Sequence, residues 1–299
     1  MPVYPQTYRH YSGEYRPRSL AWTVICSSGI KRKWRGRATK FLLLLSLLIF
    51  LTFGARIYLA ANLELVEFLG MDPNRMLEQV FALGPRFYYE YLQSQIFIGF
   101  LLTLLLGSDL IAADRKTGAI SLYLSKPIGK FDYLFGKASV LMAFLLGITA
   151  ASGWVLFFLN AFFHEDWGLL LRQADMWGRI AVYSLLISVS FTVVMLSLSS
   201  LVRSKLAAIA LFCVVYFIPN VIIQAIERLT WRLRFNEEAW NGWSVISLQN
   251  IWDQLGATLF EVEPPFALHW GYYLATLLVV LALFSIVLYR QIRAVEVIR

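Results

Sequence analysis

The sequence predicts an all-α integral membrane protein with six transmembrane helices. Apolar residues make up 59% of the 299 residues, whereas a soluble globular domain contains about 45–50%, and the mean hydropathy is +0.61. Six apolar runs follow one another along the chain, and roughly 20 helical residues suffice to cross a bilayer. Lys and Arg gather in every second segment that flanks these runs, whereas Asp and Glu gather in the others.

Residues 1–40 begin tyrosine-rich and become strongly basic just before the first apolar run. Such a basic block stops translocation, so the N-terminus is predicted to be cytoplasmic. Residues 19–30 are apolar but too few to span a bilayer, and we expect them to form a helix along the membrane surface with Trp22 and Trp34 at headgroup depth. For residues 1–18, a disordered basic tail is an equally good interpretation.

The six spans differ in their polar content. Arg56, near the end of the first span, is expected to reach the interface as an anchor. The hydroxyls of the fourth span are expected to bond carbonyl groups of their own preceding turns rather than to line a route, and Pro219 predicts a bend in the fifth span. The predicted spans are residues 41–60, 92–106, 138–163, 179–201, 206–226 and 267–289.

Charge assigns a side of the membrane to each connection. Of the 27 Lys and Arg residues, 19 lie in residues 1–40, 109–137, 202–205 and 290–299, which hold only 5 of the 19 acidic residues. Because short loops rich in Lys and Arg stay in the cytoplasm, both termini are predicted to be cytoplasmic. The predicted organisation is a cytoplasmic N-terminal segment (1–40), a six-helix transmembrane domain (41–289) and a cytoplasmic tail (290–299).

The longest outer connection, residues 227–265, is acidic and contains four tryptophans. Tryptophan is enriched where a membrane meets water. We therefore expect helices embedded in the interface here rather than a solvated coil.

A polar and basic segment, residues 109–137, separates the second and third spans. Residues 112–125 can form a short amphipathic helix, and a Gly or Pro every few residues afterwards argues against a long one. A solvated turn is the plain interpretation, but the residue order favours a surface on which a cytoplasmic partner docks. The residues expected to contact the partner are Asp114, Arg115, Lys116, Gly118, Ile120, Leu122, Tyr123 and Pro127, with Arg203 and Lys205 as a lesser contact.

The string DRKTGAISLYLSKPIGKFDYLFGK, residues 114–137, resembles the first cytoplasmic loop of permease subunits of ABC-2 type transporters. In that family the pattern D/E-[RK]-x-x-G-x-[IL]-x-x-[LY]-L-[SA]-x-P-[IVL] precedes a Gly-Lys pair and a helix. The matching positions are Asp114, Arg115, Gly118, Ile120, Tyr123, Leu124, Ser125, Pro127, Ile128, Gly136 and Lys137.

The resemblance implies a type V exporter-like permease fold with an N-terminal interfacial helix, and with re-entrant or surface helices at the outer exit in residues 227–265. The loop would carry a coupling helix that docks on a separate ABC ATP-binding subunit, in the bacterial plasma (inner) membrane. A homodimer with a second permease copy is expected, because six spans make too small a bundle for an alternating-access pore alone.

The sequence lacks the motifs of a nucleotide-binding or catalytic chain. The nearest match to the phosphate-binding motif G-x-x-x-x-G-K-[ST] is at Gly136 and Lys137. It lacks two motif residues, because Phe131 stands in place of the first Gly and Ala138 in place of the Ser or Thr. The three histidines are scattered over both sides of the membrane, which excludes a histidine metal cluster. We therefore expect no cofactor, with ATP bound by the partner subunit, and no enzymatic activity in this chain.

The sequence thus favours the permease subunit of an ATP-driven ABC-2 type exporter that contacts membrane lipids and no nucleic acid. Its basic residues flank apolar runs, where anionic headgroups attract them, and no separate basic and aromatic surface for single strands is present. The alternative is a membrane anchor or assembly factor that recruits a cytoplasmic partner without transport. A secondary transporter is disfavoured, because neither a mid-membrane carboxylate nor a pair of broken helices is evident.

Overall fold

The computed structural model describes residues 21–68, 83–118, 129–233 and 242–291, and every regular element in these ranges is helical. Short π-helical turns, Thr103–Gly107 and Gly147–Ala151, follow α4 and α6, and a 3₁₀ turn, Gly242–Ile246, precedes α11. The helices are α1 (Ala21–Trp34), α2 (Arg37–Ala61), α3 (Leu63–Phe68), α4 (Pro85–Leu102), α5 (Ala112–Thr117), α6 (Lys130–Leu146), α7 (Ser152–Phe163), α8 (Leu169–Arg172), α9 (Asp175–Leu201), α10 (Lys205–Leu233), α11 (Leu248–Leu259) and α12 (Trp270–Gln291).

In the described part of the chain, six helices are long and apolar enough to cross a membrane, which confirms the predicted number of spans. The second span is much longer than predicted, because hydropathy marks only its apolar middle while the helical backbone extends to Pro85, a favoured first residue of a helix. We call these helices the first to sixth spans: Arg37–Ala61, Pro85–Thr117, Lys130–Phe163, Asp175–Leu201, Lys205–Ile226 and Trp270–Gln291.

The fourth span lies at the centre of the bundle. It contacts the second, third, fifth and sixth spans and α11. In the second and fourth spans 67% of the most apolar stretch is buried, against 11% in the first, 22% in the fifth and 17% in the sixth. The first, fifth and sixth spans therefore present the broad apolar surfaces that a lipid environment or another membrane helix covers.

The hydroxyls of the fourth span follow the prediction only in part. Ser190 and Ser200 donate hydrogen bonds of 2.6 Å to carbonyl oxygens of their own preceding turns, as expected. Other buried hydroxyls of this span find no hydrogen-bond partner among the described residues: Ser184, Ser188, Thr192 and Ser197. Their small volume lets neighbouring helices approach the fourth span closely.

The bundle has two chemically distinct ends. Lys116, Arg203 and Lys205 lie together at one end, which we call the basic end. At the other, the acidic end, Arg179 pairs with Asp175 at 2.9 Å and with Glu261 at 2.5 Å. The separation of charge seen along the sequence is therefore also a separation in space.

Arg56 lies at the acidic end, where it joins the first and second spans. Its guanidinium carbon is 5.0 Å from the ring centroids of Phe53 and Phe87, and its Nη1 is 3.7 Å from the Glu90 Oε2 atom. These contacts fit the structural anchor that the sequence predicts. Pro219 lies inside α10, which continues to Leu233, and the bend expected there stays a prediction.

The described part of the apolar segment predicted over residues 19–30 lies in helix α1, which packs against the start of the third span. A Cβ atom at Gly136 would lie 2.8 Å from the Ile25 Cβ and 3.1 Å from the Trp22 carbonyl oxygen, so only glycine permits this approach. The Trp22 and Phe135 rings meet edge to face with centroids 4.9 Å apart. The position of α1 at the membrane surface stays a prediction.

The connection after the fifth span folds back into the bundle. Helix α11 packs against the fourth, fifth and sixth spans, and its Trp252 is completely buried with its ring 4.8 Å from that of Phe191. Arg179 fixes the end of α11 by donating to the Leu259 carbonyl oxygen at 2.9 Å. Trp243 is half exposed, as an interface residue would be, but Trp252 is a core residue because protein helices surround α11.

Replacement of Gly136 by alanine tests the packing of α1. The Gly136→Ala variant is expected to push α1 from the third span, to lower the free energy of unfolding by about 1–3 kcal/mol and to speed hydrogen exchange of α1 amides. The matched control is Gly147→Ala in the same span, where an added Cβ meets nothing within 4 Å. Equal exchange of α1 in both variants would contradict this packing.

Candidate functional site

The second span interrupts its α-helical hydrogen bonding close to the basic end. The π-helical turn Thr103–Gly107 and a turn at residues 108–111 separate α4 from α5. The Ser199 hydroxyl of the fourth span donates to the Ser108 carbonyl oxygen and accepts from the Ala112 amide, both at 3.0 Å. One side chain thus satisfies two backbone groups at the break and attaches α5 to the fourth span.

Asp114 in α5 is held by two side chains of the third span. Its Oδ2 atom lies 2.7 Å from the Lys137 Nζ and accepts a hydrogen bond from the Tyr133 hydroxyl at 2.7 Å. The side chains of Lys137 and Asp114 are only 5% and 13% exposed. Because a buried charge is costly unless it is paired and hydrogen-bonded, each of these ions depends on the other.

This ion pair explains why the motif has charges at both ends. Asp114 and Lys137 are the first and last residues of the string that resembles the ABC-2 loop, and the fold brings them into contact. Tyr133 precedes Lys137 by four residues, so both side chains lie on one face of the helix. That spacing was a usable signal for Tyr133, whereas nothing in the sequence indicated Ser199.

Two further charged contacts join elements at the basic end. The Arg115 guanidinium donates to the Ser200 carbonyl oxygen of the fourth span, and the Lys33 ammonium of α1 pairs with the Asp109 carboxylate. Burial lowers the pKa of Lys33, and the hydrogen bond and charge of Asp109 oppose this shift. As a result, polar contacts tie the basic end of the second span, which includes α5, to α1 and to the third and fourth spans.

An open depression of about 530 Å³ lies beside α5, and we call it the basic depression. The sequence predicts separate contacts at residues 109–137 and 202–205, and the structure joins them in one surface. Leu206 adds an apolar side chain that is 76% exposed. The lining consists of Asp109, Ala113, Lys116, Arg203, Ser204, Lys205 and Leu206.

The predicted contact residues fall into three groups. Lys116, Gly118, Arg203 and Lys205 are exposed. Asp114 is buried and paired, and Arg115 is partly buried and bonded to the fourth span, so both have roles inside the chain. The third group lies outside the described residues: Ile120, Leu122, Tyr123 and Pro127. Contact with a partner stays a prediction for all of them.

Gly118 ends α5 for a conformational reason. Its φ angle is +71°, in the left-handed region, and its amide donates to the Asp114 carbonyl oxygen. Glycine is the usual residue after the last helical turn, because other side chains are strained there. The turn at Gly118 therefore sets the direction in which the chain leaves α5.

Within the described ranges, no group of three or more His, Cys, Asp or Glu residues is arranged to hold a metal ion. The expectation that this chain uses no cofactor of its own stays a prediction.

Six apolar spans, with the fourth span at the centre and a short polar helix fixed at one end, define a multi-pass α-helical membrane protein. A family model described as ABC-2 family transporter protein matches residues 34–293. The chain therefore belongs to the ABC-2 transporter family, which confirms the resemblance found in the loop and makes the chain a permease component of an ABC transporter. No curated protein matches the chain.

Removal of the Asp114 carboxylate tests the buried ion pair. The Asp114→Ala variant is expected to lower the free energy of unfolding by about 3–5 kcal/mol, because the Lys137 ammonium remains buried without its counter-charge. Thermal or SDS unfolding of the purified chain in detergent measures the change. The double variant Asp114→Leu with Lys137→Met, which removes both charges, should recover most of the loss.

The control is Asp132→Ala, which removes a carboxylate that accepts a capping hydrogen bond from the Gly129 amide at 3.2 Å. Loss of such a cap costs about 1 kcal/mol. An Asp114→Ala variant as stable as Asp132→Ala would show that the ion pair does not hold α5.

Proposed function

We propose that this chain is the permease half of an ATP-driven ABC-2 type exporter in the bacterial plasma membrane, with its basic end in the cytoplasm. The observation that carries the proposal is an exposed basic surface built on the end of the second span, which polar contacts tie to the third and fourth spans and to α1. A surface fixed in this way can pass a displacement to the membrane helices.

The basic depression supports docking of a separate ATP-binding subunit. Lys116, Arg203 and Lys205 present positive charge around an exposed apolar side chain, Leu206. An acidic rim on the partner would orient the encounter, and the apolar contact would add affinity. ATP would be bound and hydrolysed by the partner, and this chain would need no cofactor.

The internal contacts of α5 support a path for the motion. The Asp114 and Lys137 pair connects α5 to the third span, and Ser199 connects it to the fourth. A displacement of α5 by the bound partner would therefore move the second, third and fourth spans together. The π-helical turns Thr103–Gly107 and Gly147–Ala151 would serve as points of adjustment, because such turns often mark functional sites in helices.

The exposed first, fifth and sixth spans support assembly with a second copy. Their apolar faces leave ample surface for a homodimer interface as well as for lipid. In the proposed exporter, the transport route would open between the two copies when the bound ATPases close.

Charge reversal in the basic depression tests docking. The variants Lys116→Glu and Arg203→Glu are expected to weaken binding of the cognate ATP-binding subunit by tenfold or more, about 1.4 kcal/mol, and to abolish ATP-dependent transport. Binding is measured by titration of the purified subunit onto nanodiscs that contain the chain. The matched control is Lys40→Glu, an exposed basic residue of the first span that lies outside the depression.

Unchanged affinity and transport in both depression variants would overturn the docking assignment. If the wild-type chain binds a cytoplasmic partner that is not an ATPase, and no ATP-dependent transport occurs, the chain is an anchor or assembly factor instead.

Cysteine labelling tests the orientation. In a chain that lacks Cys26 and Cys213, Lys116→Cys should react with a membrane-impermeant maleimide only after the membrane is opened. A cysteine introduced by Glu263→Cys at the acidic end should react in intact cells, because Glu263 is exposed there. The opposite labelling pattern would place the basic end outside the cell and would contradict the proposed function.

A further inference from the structure

The structure brings an acidic side chain between the membrane spans at the acidic end. Asp253 of α11 accepts a hydrogen bond on Oδ1 from Gln93 Nε2 at 2.7 Å, and its carbonyl oxygen accepts one from the Tyr89 hydroxyl at 3.2 Å. Gln93 lies eight residues after Pro85, or about 12 Å into the second span at 1.5 Å per residue. Asp253 is thus enclosed between spans near the acidic end because α11 folds inward, and the expectation that no carboxylate lies at mid-membrane depth stays a prediction.

Asp253 faces a pocket of about 280 Å³ between the second span, the fifth span and α11. Among the described residues that line it, Asp253 alone carries a charge, and the other polar groups are the amides of Gln93, Asn220 and Gln249 and the Tyr216 phenol. The volume lies just below the range of sites for drug-sized ligands, about 300–1,000 Å³. The pocket therefore suits a head group rather than a whole amphiphile.

The amides around Asp253 already have partners. Gln93 donates to both Asp253 and the Tyr89 hydroxyl, and Asn220 donates to Gln249. The Asp253 Oδ2 atom accepts no hydrogen bond from the described part of the chain, and no cationic side chain of that part pairs with this carboxylate. A partly buried carboxylate without a counter-ion gains free energy when a cation reaches it.

The remaining walls are aromatic. The Tyr216 ring lies 6.1 Å from the Trp252 ring and 4.9 Å from the Phe217 ring. Phe97 and Phe217 are 61% and 44% exposed, so they extend from the pocket onto the outer surface of the bundle. Aromatic faces attract organic cations, whereas Ca²⁺ takes six to eight oxygen ligands and Mg²⁺ keeps a shell of bound water, which aromatic walls do not favour.

We propose that this pocket binds the ammonium group of a cationic amphiphile. The ammonium lies against the Asp253 carboxylate and the aromatic rings, and the apolar chain runs along Phe97 and Phe217 toward the lipid. A free amphiphile and a choline headgroup of a lipid share this chemistry. Binding requires neither ATP nor a partner subunit, and only export of the bound cation rests on the proposed function.

Direct binding tests the pocket. The chain in phosphatidylglycerol nanodiscs is expected to show saturable binding of radiolabelled octyltrimethylammonium above that of empty nanodiscs, without competition from octanol. The Asp253→Asn variant should bind at least tenfold more weakly, and Phe217→Ala about fivefold more weakly. The matched control Glu263→Gln, an exposed carboxylate outside the pocket, should bind like the wild type.

Acidification gives an independent readout. Burial raises the pKa of Asp253, and the hydrogen bond from Gln93 opposes the shift. Affinity should therefore be full above the raised pKa and fall as the pH decreases through it, because protonation removes the charge. The titratable groups that face Asp253 from the second, fourth and fifth spans are the phenols of Tyr89, Tyr183 and Tyr216, which do not ionise in this range.

Equal affinity in the wild type and Asp253→Asn would overturn the pocket assignment, once thermal unfolding curves show that both chains are folded. Equal competition by octanol would also overturn it. If added phosphatidylcholine reduces the binding of octyltrimethylammonium, the lipid headgroup is an occupant of the pocket. If it does not, the occupant is the free amphiphile. Lys116→Glu should bind the cation normally, so a failure of ATP coupling remains distinguishable from a failure of this site.

Discussion

The contact between Asp114 and Lys137 fixes the geometry of the basic end. It joins α5, at the end of the second span, to the third span and buries two opposite charges that are far apart in the chain. Neither charge is tolerable alone in such surroundings. The ion pair therefore holds α5 and the start of the third span in fixed relative positions beside the basic depression.

Polar and small residues decide how the helices pack, because lipid is as apolar as the spans and burial alone does not favour one helix over another. Buried Gln95 of the second span illustrates this. It accepts from the Ser46 hydroxyl at 2.9 Å and donates to the Ser46 carbonyl oxygen at 3.2 Å, which joins the first and second spans. Ser199 joins the second and fourth spans in the same manner.

Asp114 at the basic end and Asp253 at the acidic end differ in the partners that their carboxylates have. The Asp114 carboxylate is buried with Lys137 and Tyr133 and holds α5 against the third span. Among the described residues, one side-chain amide donates to the Asp253 carboxylate, which faces a pocket with aromatic walls. The first arrangement is complete within the chain, whereas the second leaves room for an external cation. The difference separates a structural role at the basic end from the ligand-binding role that we propose at the acidic end.

Hydropathy and charge along the sequence determined the membrane class, the six spans, the helix before the first span and the family motif, because these are properties of local composition. Only the tertiary structure decided that Asp114 meets Lys137, that residues 109–116 and 203–206 share one surface, and that Trp252 and Asp253 enter the bundle. Each of these results depends on which distant segments come together. In the apolar interior of a membrane, helix shape and polar contacts between helices determine which segments pack together. Neither can be read from the sequence of one segment alone.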